Sequence, residues 1–275
     1  MGGGTYNYVS ASNRSTNDYS LKTREQIFRQ SDLHPEMDIR RKKVRESRDS
    51  EEHPESFPVI IALDETGSMG TVPEILIKEA FPDIIKLIMD AGIANPQVCF
   101  CGIGDGQNLY ERAAIQCGEF ESSDDLMEKW LKNIYLEGCG AGNNGEDYEF
   151  AWYFAAYHTV IDSFEKRGKK GVLITIGDEP VHRHISRHAI QHYFGDNPER
   201  DLTSTEILQK ASEKWDIYHI HINHGYYRFE STNWQQMLDT HAIPTESGLS
   251  EEVKRIIPAI VIQSYKDFND LIEVD

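Results

Sequence analysis

Val59-Ile60-Ile61-Ala62-Leu63-Asp64-Glu65-Thr66-Gly67-Ser68 is the stretch on which the fold turns. Its first five residues are wholly apolar and rich in β-branched side chains, the composition of a strand buried on both faces in a parallel sheet. A helical pattern starts near Val72, so the order is strand, loop, helix, with a carboxylate and two hydroxyls emerging at the strand's carboxyl end. Ligands of open α/β sheets bind in the crevice beyond such ends. Asp64, Thr66 and Ser68 alternate with residues that can point elsewhere, so three oxygens can converge on one point. Hard divalent cations such as Mg²⁺ favour an all-oxygen shell of this kind, completed by water.

Outward from that stretch the α/β pattern repeats. Pro73 falls in the first turn of the next helix, where a missing N–H costs nothing, and Pro82 should kink or split that helix before Asp83–Asp90 continues it. Gln97–Ile103 and Arg112–Cys117 read as a hairpin, one of the two being an antiparallel edge strand. Ser123–Asn133 is predicted helical with Ser122 or Ser123 as cap, and Asp147–Glu165 as one long aromatic-rich helix. Gly171–Ile176 is a second buried strand, followed by a helix over Ser204–Lys214 and a strand over Asp216–Asn223. Ser231–Thr240 and Glu251–Gln263 are helical or mixed. Strands alternating with helices predict a doubly wound, mainly parallel sheet with helices on both faces and one antiparallel edge strand.

Residues 1–57 differ in character from 58–275, which divides the chain into an N-terminal arm and a body. Gly, Ser, Asn and Tyr dominate the first twenty residues, and a basic run, Arg40-Arg41-Lys42-Lys43-Val44-Arg45, gives way to acidic residues up to Glu55. Such composition fits a solvated arm. It also fits a docking arm whose basic run meets an acidic partner or the acidic body of its own chain.

Composition narrows the function. The 275 residues carry a net charge of −18, which argues against phosphate backbones and anionic membranes as partners. No apolar run approaches the roughly 20 residues of a membrane span, and the amino terminus has no apolar signal core, which reads as cytoplasmic. Cys99, Cys101, Cys117 and Cys139 read as reduced thiols, with Cys99 and Cys101 on one face of a strand and poorly placed to bridge.

Two further segments complete the site. Leu136-Glu137-Gly138-Cys139-Gly140-Ala141-Gly142-Asn143-Asn144-Gly145-Glu146 is a glycine-rich loop bearing two amides, and Ile174-Thr175-Ile176-Gly177-Asp178-Glu179-Pro180 ends a strand on a carboxylate as Asp64 does. Together with Asp64-Glu65-Thr66-Gly67-Ser68 they resemble the metal-ion-dependent adhesion site of a von Willebrand factor A domain, of intracellular bacterial or phage type, over about residues 58–265. That site combines Asp-x-Ser-x-Ser, a Thr or Asp from a second loop and an Asp from a third. Thr66 keeps the hydroxyl of the first motif. The second motif departs from the pattern, with Asn143 or Asn144 in place of Thr or Asp.

The resemblance implies Mg²⁺ or Mn²⁺ held by Asp64, Thr66, Ser68, Asn143 and Asp178, with one position left for a carboxylate from a partner protein. A cation would let an acidic chain bind an acidic side chain. The family also implies an adaptor or assembly role beside an AAA-type ATPase or a kinase, and a phage structural or accessory protein is a second binding-class reading.

Asp64-x-Thr66-Gly67-Ser68 also resembles the phosphorylation motif of haloacid-dehalogenase-type phosphotransferases, with Asp64 as nucleophile and Gly104-Asp105-Gly106-Gln107-Asn108 imitating their magnesium motif. Against it, the last Asp of that motif is Leu109 here, and only about 40 residues separate the two motifs. His184, His188 and His192, spaced by four with His182 nearby, read as a surface stripe. His219 and His221 read as core or edge groups, and Tyr226, Tyr227 and Phe229 as a possible contact patch.

Overall fold

The protein is described from a computed structural model, which covers residues 3–69, 71–106, 111–137, 145–223, 231–245 and 249–272. Within that range the side chain of Ser68 is not described, and neither are those of a few residues at helix ends.

The apolar run forms strand β1, Phe57–Asp64, buried along its whole length. Helix α1 follows in three pieces: Val72–Ile75, a π-helical turn Leu76–Ala80, and Phe81–Asp90. Pro73 lies in its first turn, and the irregular turn comes just before Pro82. Pro82 has no N–H to give the carbonyl of Lys78 four residues back. Ser15 of the arm donates its hydroxyl to that carbonyl instead.

Next come β2 (Pro96–Ile103), the short β3 (Ile115–Cys117), α2 (Asp124–Lys132) and α3 (Tyr148–Tyr157). The rest of the body is β4 (Gly171–Gly177), α4 (Ser204–Ala211), β5 (Trp215–His221), α5 (Ser231–Leu238), β6 (Ala242–Pro244) and α6 (Leu249–Ile272).

The six strands line up as β3-β2-β1-β4-β5-β6. All neighbours are parallel except β2 and β3, which pair antiparallel with Cys101 opposite Cys117. Strand alternation sends Val59, Ile61 and Leu63 into one core with residues of α1, α2 and α6. Ile60 and Ala62 enter the other, with residues of α3 and α4 and Trp234 of α5. Both faces of the sheet are therefore covered by helices, which is why β1 shows no polar alternation.

Three expectations need correction. The helix predicted over Asp147–Glu165 stops at Tyr157, because Thr159–Ile161 is a β-branched run that pairs as a parallel strand with Arg45–Ser47 of the arm. A separate short helix, Asp162–Arg167, takes up the rest. The second hairpin strand is shorter than Arg112–Cys117, and β6 was not foreseen at all. Its three residues end in proline, which an edge strand tolerates.

The arm is built into the body. Its helix Tyr8–Asn17 starts at Asn7, whose side chain caps Ser10 N–H. Tyr19, Ile27, Phe28 and Met37 join the core under α1 and α2. The basic run docks on the acidic body: Lys42 meets Glu119, Lys43 meets Asp196, and the fully buried Arg45 donates to the carbonyls of Glu36, Lys42, Cys117 and Gly118. Cys99, Cys101 and Cys117 are buried free thiols, with the first two sulfurs 3.9 Å apart. Among the described residues no helix is long and apolar enough to cross a membrane.

Candidate metal centre

Chain connections leave β1 toward β2 on one side and leave β4 toward β5 on the other, so the strand order reverses between β1 and β4. The carboxyl ends at such a reversal splay apart and leave a crevice. Asp64 closes β1 and Asp178 follows β4 at this point, and both are buried.

Asp64 is held from two sides. Thr66 donates its backbone N–H at 2.9 Å and its hydroxyl at 2.7 Å to Asp64 Oδ1, a turn closed by the aspartate itself. Tyr148, the first residue of α3, donates its hydroxyl to Asp64 Oδ2 at 2.8 Å. The same Tyr148 oxygen accepts Glu179 N–H at 3.4 Å, tying the loops after β1 and β4 to one phenol. Gly177 is what admits it, since a Cβ there would stand 1.8 Å from the tyrosine oxygen. Glu65 turns to the other side, where Gln116 donates to its carboxylate.

The electrostatics are unusual for a protein surface. Burial, then the charge of Asp178, push the Asp64 carboxyl up to about 7 against the pull of its hydrogen bonds. Burial, then Asp64, Glu179, Asp105 and Asp147, push Glu146 to about 12. Glu65 and Glu149 lie well above the usual carboxylate range for the same first reason, burial, followed by neighbouring carboxylates. Glu111 rises to about 9 through burial and a hydrogen bond with Glu137. Burial and mutual repulsion thus hold these carboxyl groups protonated at the carboxyl rim of the sheet, and a bound cation would displace those protons.

A second group adjoins the first. Asp105 follows β2, Asp147 stands at the amino end of α3, and His182 lies in the loop after β4. One ligand atom from each falls within 4.8 Å of the others. His182 Nε2 is 3.6 Å from Asp105 Oδ1 and 3.8 Å from Asp147 Oδ1. Asp147 also accepts Gly106 N–H.

Of the predicted ligands, the structure brings Asp64, Thr66 and Asp178 to one place. Asn143, its alternative Asn144 and the Ser68 side chain lie outside the described residues, as do Gln107, Asn108, Tyr226, Tyr227, Phe229 and Cys139. His184, His188 and His192 are exposed, and His184 sits on a short strand instead of a helix. His219 is buried, bonds Thr175 Oγ1 at 2.9 Å and stacks on Trp234. Sequence reasoning missed Tyr148 and the group around His182. Their available signal was position: Asp147-Tyr148 follows the glycine-rich loop, and His182 extends the loop begun by Asp178.

No protein-family profile matches the chain. Nor does any curated protein sequence. Among solved structures, the pilus adhesin SpaC from Lactobacillus rhamnosus GG is similar in its open conformation, at 10% identity and TM-score 0.48 over 77% of this chain and 30% of that one. A second form of SpaC gives 12% identity and TM-score 0.46, again over 77% of this chain and 31% of that one. The chain thus spans about a third of the SpaC structures it is similar to.

Proposed function

We propose that the chain is a doubly wound, von Willebrand A-like domain that captures a partner protein through a divalent cation. The observation that carries this reading is the meeting of Asp64, Thr66 and Asp178 where the strand order reverses. The residues fit Mg²⁺ or Mn²⁺. The Thr66 hydroxyl gives its proton to Asp64 Oδ1, which sets its oxygen beside the carboxylate, while Tyr148 fixes the opposite carboxylate oxygen. Asp64, Thr66 and Asp178 would hold the ion, with Ser68 and Asn143 expected to complete its protein shell. When bound, the ion supplies a positive point that accepts one carboxylate from a partner. Tyr148 and Gly177 hold the two loops in register for it.

The partner is then a protein presenting an acidic side chain, an AAA-type ATPase or a kinase being the kinds the resemblance favours. The setting proposed is cytoplasmic. The test is capture of partners from native cell extract by the full chain, with Mg²⁺ and with EDTA, and by Asp64→Ala checked for an unchanged circular dichroism spectrum. Capture is expected only for the wild type in Mg²⁺. Equal capture in all three samples overturns the reading.

A further inference from the structure

We propose that Asp105, Asp147 and His182, backed by Glu149, form a second cation site that takes a first-row transition-metal dication. The inference stands apart from the function proposed for Asp64. Three elements that are distant in sequence bring these groups together: the turn after β2, the head of α3 and the loop after β4. Donor atoms that each lie about 2.1 Å from a shared ion sit roughly 3.0–3.6 Å apart. The 3.6 and 3.8 Å separations from His182 Nε2 to the two aspartates are close to that spacing and too long for hydrogen bonds.

Two side chains point independently to a ligand. The Nε2 of His182 is a buried atom with no hydrogen-bond partner. Its ring is set by Gly145, whose φ of +136° and missing Cβ allow the backbone within reach of His182 Cε1. Glu149 is fully buried two residues along the chain from Asp147, and the backbone N–H groups of Glu149 and His182 are directed at its carboxylate without either oxygen making a well-formed hydrogen bond. The charges that press on it are those of Asp147 and Asp105. A buried carboxyl near other carboxylates is costly to ionise unless a cation joins them.

The donor set selects the metal. Mg²⁺ and Ca²⁺ favour oxygen alone, whereas an imidazole nitrogen with carboxylates suits Mn²⁺, Co²⁺ or Zn²⁺. Such an ion would clamp the loop after β2 to α3 and to the loop after β4. Glu146, raised first by its own burial, also feels the charges of Asp64 and of both aspartates.

The test uses the full chain stripped with EDTA and titrated with Co²⁺ in excess Mg²⁺, followed by calorimetry, visible absorption and hyperfine-shifted imidazole N–H resonances. One equivalent of Co²⁺ is expected with a shifted imidazole signal. His182→Asn should weaken it about 100-fold or more, beyond the loss typical of an outer-shell partner. Asp64→Ala should keep the Co²⁺ signal even if it loses Mg²⁺. His182 is at the rim, 14% exposed, so the Asn variant is expected to fold, and its circular dichroism checks this. Glu149→Gln, isosteric, should weaken Co²⁺ as well. Unaltered Co²⁺ affinity in folded His182→Asn, or a Co²⁺ signal lost only in Asp64→Ala, overturns the second site.

Discussion

Two sets of buried or half-buried carboxylates in this molecule live under opposite rules. Where the arm meets the body, acids face guanidinium and ammonium groups: Asp124 and Glu128 hold Arg14, Asp162 holds Arg48, and Asp49 holds Lys166 and Arg167. Burial alone would raise Asp49 and Asp162, but their hydrogen bonds to Arg167, Lys166 and Arg48 outweigh it and hold both below the usual range. At the carboxyl rim of the sheet, burial outweighs the hydrogen bonds, and the charges that act on Glu65, Glu146 and Glu149 are those of other carboxylates. The first arrangement fastens chain to chain. The second gathers carboxyls whose ionisation is costly unless a cation joins them.

The largest test of this contrast falls on the fastened side. Arg45 is fully buried and satisfies four backbone carbonyls, so Arg45→Met should cost about 3–5 kcal/mol in urea unfolding, as breaking a buried polar network does. A loss under 1 kcal/mol, on the order of a surface contact, would mean the arm is only laid against the body.

The rim should respond through pH and metal. With its folded pKa raised from 3.8 to about 7, Asp64 keeps a proton that the unfolded chain has lost. Its contribution to stability is whole below about pH 4 and is lost as pH rises through 7. Asp49 and Asp162, held low, run the other way: their contribution is full above the unfolded value and fades as pH falls through the folded one. In EDTA the wild type should therefore lose stability between pH 4 and 7 relative to Asp64→Asn. Mg²⁺ at about 100 times its Kd should restore about 2.7 kcal/mol to the wild type alone. Melting curves across pH with and without Mg²⁺ decide it; identical curves for the two proteins would erase the contrast.

The smallest effect expected is at Ser15, which replaces the donor that Pro82 removed. Ser15→Ala should cost about 1 kcal/mol and leave the Mg²⁺ response untouched. Denaturant midpoints with and without Mg²⁺ measure both parts.

Much of the frame was legible because its signals are local. Val59–Leu63 could only be a doubly covered strand, Pro82 had to disturb its helix, and Asp64 and Asp178 advertise themselves by ending apolar runs. What escaped depends on partners far away in sequence. Thr159–Ile161 became a strand because Arg45–Ser47 lies beside it. Tyr148 reaches Asp64 across 84 positions, and only Gly177's missing side chain makes room. His182 lost its weight in sequence to a neighbouring stripe of exposed histidines. Its aspartate companions are 77 and 35 residues away, a proximity that only the strand order creates.

The sheet's two margins are finished by different means. At β6 the last residue is a proline, which offers no N–H to a newcomer. At β3, Cys117 gives its N–H to Met37 and its carbonyl to Arg45, so the arm occupies the bonding positions that another molecule's strand would seek. The first fifty-odd residues therefore act as a selvedge, keeping neighbouring copies from knitting their sheets together.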